Sequence, residues 1–155
     1  MNELSSRFTP IDDTDIDCDR TEATLAIYNV DPDLVTQKLG VTPSRSQKKG
    51  VPRIMRSGKQ RIGRVNSWLL ESENEVKSKD LRRHLDWVLD KVEPVVGQIL
   101  EIQQYPNVKM SIRCVWWSAE AGGGSGPTLW PEQMRRMAQL NLECNLCFAY
   151  YGNEE

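Results

Sequence analysis

The chain has 155 residues, of which 39% are apolar and 27% charged, with a formal net charge of −2. This is the size and composition of one ordinary globular domain and argues against disorder; no apolar run approaches the ~20 residues of a membrane-spanning helix. The small net charge argues against gross attraction to nucleic acid or membrane, and Cys18, Cys114, Cys144 and Cys147 are too few for a disulfide scaffold.

Residues 1–20 carry Asp12, Asp13, Asp15, Asp17 and Asp19 with few apolar partners, so they are expected to form an acidic flexible tail. They show neither the apolar stretch nor the cleavage site of a secretory signal, and a cytoplasmic location with free thiols is expected. Residues 21–152 are expected to form one domain. Ala23–Tyr28 alternates as a strand does. Asp31-Pro32-Asp33 then supplies a capping carboxylate, a proline for the first helical position and an acid for the positive helix end. The short helix ends at Gly40.

Residues 43–64 carry Pro43, Gly50, Pro52, Gly58 and Gly63 and little periodicity, which predicts a long loop of the functional or mobile kind. A strand follows through Asn66–Glu71. From Lys79 the period becomes helical, with Leu81, Leu85, Val88, Leu89, Val92, Val95, Val96 and Ile99 on one stripe. Pro94 predicts a kink or restart. Val108–Ser118 is the clearest strand, with Met110, Ile112, Cys114 and Trp116 on one face and Lys109, Arg113 and Trp117 on the other. The glycine run 122–126 predicts a flexible connection, Pro131-Glu132 opens a short helix, and residues 142–150 close as a strand.

This order predicts an α+β fold, a two-layer sandwich with a four- to five-stranded, mainly antiparallel sheet and helices on one face. Asp31-Pro32-Asp33 and Trp130-Pro131-Glu132 repeat a theme, which raises the expectation of a ferredoxin-like duplication.

Ala23-Thr24-Leu25-Ala26-Ile27, Asp31-Pro32-Asp33 with Leu39-Gly40, Lys49-Gly50, Ser67-Trp68-Leu69-Leu70, Asp80-Leu81-Arg82-Arg83-His84-Leu85 and the glycines before Thr128 carry a resemblance in their order and spacing. Over roughly residues 22–150 the chain resembles the bacterial domain-of-unknown-function family 4279, departing from it in the basic insert and the acidic tail. The resemblance implies a small α+β domain and brings no activity, cofactor or site residue with it.

The most unusual feature is the insert itself. Arg45, Lys48, Lys49, Arg53, Arg56, Lys59, Arg61 and Arg64 fall in one segment without an acid. Such a run suits an acidic protein partner or phosphates, or it is a solvated loop, or one that folds back on the acidic tail. Aromatics are missing from it, which weakens a single-strand stacking site. Lys109, Arg113 and Trp117 form a second candidate contact on the sheet, since tryptophan and arginine dominate interface hot spots. Alternatively the helices cover that face, or Arg113 stacks on Trp117.

Other constellations are weaker. Cys144 and Cys147 make a C-x-x-C, but on a strand positions i and i+3 point to opposite faces, so core cysteines are expected and no metal site. His84, the one histidine, borders the apolar helical stripe and is expected as a boundary residue with a hydrogen-bond partner. The glycine run lacks the lysine of a P-loop and the spacing of a dinucleotide site. No catalytic set and no cofactor are therefore expected. The functional expectation is a non-enzymatic protein-interaction module, in one form an immunity-type protein neutralising an acidic partner through the basic loop. Nucleic-acid or phosphate-ligand binding by the same loop is the alternative, and an enzyme of unknown type the third class. No membrane partner is expected, and the oligomeric state is left open.

Overall fold

The computed structural model describes residues 7–118 and 126–150. The α+β expectation is met. Strands β1 (Arg20–Tyr28), β2 (Arg45–Gln47), β5 (Ser67–Glu71), β6 (Lys109–Ser118) and β7 (Glu143–Tyr150) form a five-stranded sheet in the order β2-β5-β1-β6-β7, and β3 (Pro52–Ile54) pairs with β4 (Gln60–Ile62) in a separate two-stranded sheet. Helices α1 (Pro32–Leu39), α2 (Leu81–Val92), α3 (Val96–Ile102) and α4 (Pro131–Gln139) complete the chain.

Alternation on the central strand decides the layers. Ala23, Leu25 and Ile27 of β1, Trp68 and Leu70 of β5, and Ile112 and Cys114 of β6 are buried together with Val35 and Leu39 of α1, Leu85, Val88, Leu89 and Val92 of α2, and Ile99 and Ile102 of α3. The Trp68 indole donates to Thr36 Oγ1 at 3.0 Å, tying β5 to α1. The Asp31 carboxylate caps α1, Pro32 opens it, and Gly40 closes it at φ 65°. The restart expected at Pro94 is a single 3-10 turn at Glu93–Val95, after which α3 resumes with a shifted phase that leaves Val96 exposed.

The sheet is mixed. β1 is antiparallel to β5 and β6, whereas β7 runs parallel to β6. Both proline-opened helices join strands that run the same way, but α1 leads from β1 to β2 with β5 lying between them, whereas α4 joins the direct neighbours β6 and β7. The expected ferredoxin-like duplication is not shown. β7 is an edge strand, and Leu146 and Phe148, on the face of Cys114 and Trp116, are exposed.

Residues 7–19, expected as a loose acidic tail, are instead tied to α2 and α4 by polar contacts. The buried Arg82 guanidinium grips both oxygens of Asp80 (3.0 and 2.7 Å) and donates to the carbonyls of Thr9 (2.9 Å) and Pro10 (2.8 Å). Trp130, whose ring lies 4.8 Å from the Arg82 and Arg7 guanidinium carbons, also donates to the Thr9 carbonyl at 2.9 Å. Arg7 pairs with Glu132 at 2.6 Å, Asp13 with Arg83 at 3.1 Å, and Cys18 is fully buried. Apolar burial is scarce here, as the sequence suggested, but charge-assisted hydrogen bonds do the ordering. The glycine run at 122–125 and the domain end at 151–152 lie outside the described residues.

Candidate functional site

Residues 43–64, expected as one structureless loop, build two things. β2 joins the main sheet edge, with Arg45 opposite Leu69 and Gln47 opposite Ser67. β3 and β4 then form a separate hairpin in which Pro52 faces Ile62, Arg53 faces Arg61 and Ile54 faces Gln60. The tip is the three-residue loop Arg56-Ser57-Gly58. Met55 N–H donates to the Lys59 carbonyl at 2.8 Å and Gly58 N–H to the Met55 carbonyl at 2.9 Å, with Gly58 at φ 79°. That left-handed residue after a turn is the usual closure of a three-residue hairpin loop. At the root, a Cβ on Gly63 would lie 2.6 Å from the Gln47 side chain and 2.8 Å from the Lys48 carbonyl, so only glycine fits.

The register sorts the hairpin into two faces. Arg53 and Arg61 share one, and with Gln47, Met55 and Arg64 they bound a recess of about 280 Å³. Pro52, Ile54 and Ile62 share the other, with Ile54 77% and Ile62 60% exposed. Like charges directly opposite on neighbouring strands are unfavourable, and nothing in the described chain offsets them. Lys49, Arg53, Arg56, Lys59, Arg61 and Arg64 form no ion pair among the described residues.

Arg45 and Lys48 differ from these. Arg45 is paired with Glu71, whose hydrogen bond holds the guanidinium above its ordinary range. Lys48 lies 2.9 Å from Asp33 and 3.5 Å from Asp31, and its ammonium is likewise pushed up. Both hold the root of the insert against the domain. Among the described residues the acidic segment pairs elsewhere: Asp13 reaches Arg83 and Ser78.

The sheet residues do not join the hairpin. Lys109, Arg113 and Trp117 lie on the helix-free face, which is open rather than covered. Arg20, not Arg113, stacks on Trp117, at 4.1 Å; Arg113 instead donates to the Tyr28 hydroxyl at 3.1 Å. On the same face Glu22 is held above the usual carboxylate range by burial and by the nearby Glu73.

The remaining constellations are internal. Cys147 lies on the face opposite Cys144, as strand alternation requires. Cys144 instead meets Cys114, with Sγ atoms 3.9 Å apart, and that contact and burial push the Cys114 thiol up. Among the described residues no group of three or more His, Cys, Asp or Glu side chains could hold a metal ion. His84 Nε2 donates to the Ser78 carbonyl at 2.8 Å, so Nδ1 accepts from Ser72 Oγ at 2.7 Å, and Ser72 Oγ in turn accepts from Ala23 N–H at 2.9 Å. Ser72 is fully buried and His84 nearly so, which makes the pair a structural pin between the end of β5 and α2. Sequence reasoning missed Ser72, because a serine at a strand end carries no local signal of its partner.

The family described as Domain of unknown function (DUF4279) matches residues 19–151. The chain belongs to this family. No curated protein and no solved structure matches it. The DUF4279 match takes in the whole main sheet, and it includes the basic hairpin. The polar strap at residues 7–18 precedes it. No helix among the described residues of this DUF4279 chain is long and apolar enough to cross a membrane.

Proposed function

We propose that this chain is a non-catalytic interaction module that docks on an acidic protein through the β3–β4 hairpin, in the manner of an immunity-type neutralising protein. We read it as a bacterial, cytoplasmic protein, in keeping with its buried free thiols Cys18 and Cys114. One observation carries the docking reading: the hairpin is amphipathic and unsatisfied on both faces. Among the described residues its arginines pair with no carboxylate, and its opposite face exposes Pro52, Ile54 and Ile62. Cations facing an acidic partner speed encounter and fix orientation. Burying an exposed isoleucine contributes about 1.5–3 kcal/mol when the desolvation is complete. Protein surfaces supply both kinds of complement, whereas a phosphate backbone supplies only one.

Nucleic-acid or phosphate-ligand binding is the second reading, favoured by the shape of the hairpin: a two-stranded ribbon fits the major groove of DNA. Affinity capture from host extract at low and high salt separates the two. The comparison uses the intact protein, an Arg53→Glu/Arg61→Glu/Arg64→Glu variant and an Ile54→Ser/Ile62→Ser variant. Docking on protein predicts one stoichiometric partner, retained at low salt and weakened at least tenfold by either variant. Retention of nuclease-sensitive material that only charge reversal releases, with a steep salt dependence, supports the nucleic-acid reading. Retention unchanged by charge reversal removes the hairpin from both.

A further inference from the structure

The helix-free sheet face ends in a groove of about 910 Å³, where Lys109 and Met110 of β6 run past the start of β7. Tyr28, Lys109, Ser111, Arg113, Glu143 and Asn145 line its sheet side. A groove of this size falls within the range of small-molecule sites. Its wall is fixed by amides: Gln103 Nε2 donates to the Leu140 carbonyl at 2.8 Å, and Asn141 Nδ2 to Gln103 Oε1 at 2.9 Å. Asn141 is held at φ 52° where α4 turns into β7. The cavity is therefore framed by rigid elements on both sides.

The charges in it are arranged in an unusual way. Register pairs Ser111 with Glu143 and Arg113 with Asn145, so Arg113 and Glu143 stand diagonally on neighbouring strands of one face. Strand spacing and rise put their Cα atoms roughly 8 Å apart. Opposite charges so placed are within reach of a cross-strand pair, yet neither forms an ion pair among the described residues, nor does Lys109. Arg113 is turned instead to the Tyr28 hydroxyl at 3.1 Å. Two cations and one carboxylate thus face a common space without neutralising one another.

We propose that this groove binds a free acidic α-amino acid. The Arg113 guanidinium and the Tyr28 hydroxyl take the α-carboxylate, Glu143 takes the α-ammonium, and Lys109 takes the side-chain carboxylate. The ligand's two carboxylates and one ammonium complement the groove's two cations and one carboxylate. The site is independent of the hairpin.

Isothermal titration of the intact protein with L-glutamate, L-aspartate, L-glutamine, N-acetyl-L-glutamate and inorganic phosphate tests it. Saturable binding of glutamate or aspartate is expected with a dissociation constant below about 1 mM. Glutamine and N-acetylglutamate should each bind at least tenfold more weakly. Arg113→Gln should weaken glutamate at least tenfold, and Glu143→Gln should abolish the preference for glutamate over N-acetylglutamate. Because Arg113 and Glu143 are exposed, both variants should melt with the parent. The Arg53→Glu/Arg61→Glu/Arg64→Glu hairpin variant should bind glutamate unchanged. Absence of saturable binding by either amino acid, equal binding of phosphate or N-acetylglutamate, or indifference to Arg113→Gln overturns the assignment.

Discussion

His84 shows how one residue's surroundings decide its chemistry. Burial pushes its pKa down, against the opposing influence of the hydrogen bond to the Ser78 carbonyl and of Asp80. The folded state therefore holds a neutral ring, whereas the unfolded chain takes up a proton near its ordinary pKa of about 6.5. The unfolded state binds more protons between the two pKa values, so stability is complete above about pH 6.5 and is lost as pH falls through the depressed folded value. Chemical denaturation from pH 7.5 down to about pH 5 should show stability falling with acid, with a slope approaching 1.4 kcal/mol per pH unit at most. In His84→Gln that slope should largely vanish, although the variant is less stable throughout. An equal slope in both proteins would mean that another group titrates. The carboxylates Asp13 and Glu132, held below their usual range by Arg83 and Arg7, act only at lower pH. The sequence placed His84 at the edge of an apolar stripe, and the ring does lie there. Its partners Ser72 and Ser78 were not legible, because a loop rather than a periodic element brings them to it.

The hairpin is the element whose energetics and function are most separable. It buries little: apart from Gly63, residues 51–62 and Arg64 are exposed, and an isolated two-stranded ribbon is marginal in water. Its order rests on backbone pairing and on Gly58, whose φ of 79° a β-branched residue adopts only with strain. Gly58→Val should therefore open the hairpin tip at a local cost of roughly 1–3 kcal/mol, while the main sheet keeps its melting temperature to within a few degrees. Amide hydrogen exchange checks this directly: protection at Met55 and Gly58 should disappear, with that of β1 and β6 unchanged. Loss of protection across the main sheet would show that the hairpin supports the core after all. Basic charge and glycine punctuation marked this segment in the sequence. The alternation that makes it amphipathic was too short, three residues a strand, to stand out from a loop.

At the scale of the whole molecule, the segment before β1 locks α2 to α4. Arg82 is the hub, with its guanidinium shared among Asp80, Thr9 and Pro10. Gln133 extends the same lock by donating to the Arg82 carbonyl at 3.0 Å and to Asp86 at 2.9 Å. Burial works against the Asp80 charge, but hydrogen bonds from Arg82 and from the Asp12 and Arg82 amides outweigh it and hold its pKa down. Breaking a buried charge network by removing one partner is costly, about 3–5 kcal/mol. Arg82→Ala should reach that range and lower the melting temperature by on the order of 10 °C. Removing residues 1–13 should give a smaller loss, with a red shift of tryptophan emission as Trp130 becomes wet. A truncated protein that melts with the parent and keeps its emission maximum would make the strap dispensable.

The sequence by itself determined the local elements: the alternation of β1 and β6, the stripe of α2, the capped start of α1, the restart at Pro94 and the opposite facing of Cys144 and Cys147. It also fixed the basic character of the insert and carried the resemblance to the family. These follow from periodicity and local sterics, which act over a few residues. Only the tertiary structure decided that β7 runs parallel to β6, that residues 7–19 are strapped down, and that the insert is a hairpin. It also separated the paired cations Arg45 and Lys48 from those that form no ion pair among the described residues. Those outcomes depend on partners far apart in the chain, such as Thr9 with Arg82 and Glu71 with Arg45, and on which side of a sheet remains uncovered. No local pattern encodes which distant group will satisfy a charge, so the groove between Arg113 and Glu143 emerges only once β6 and β7 lie side by side.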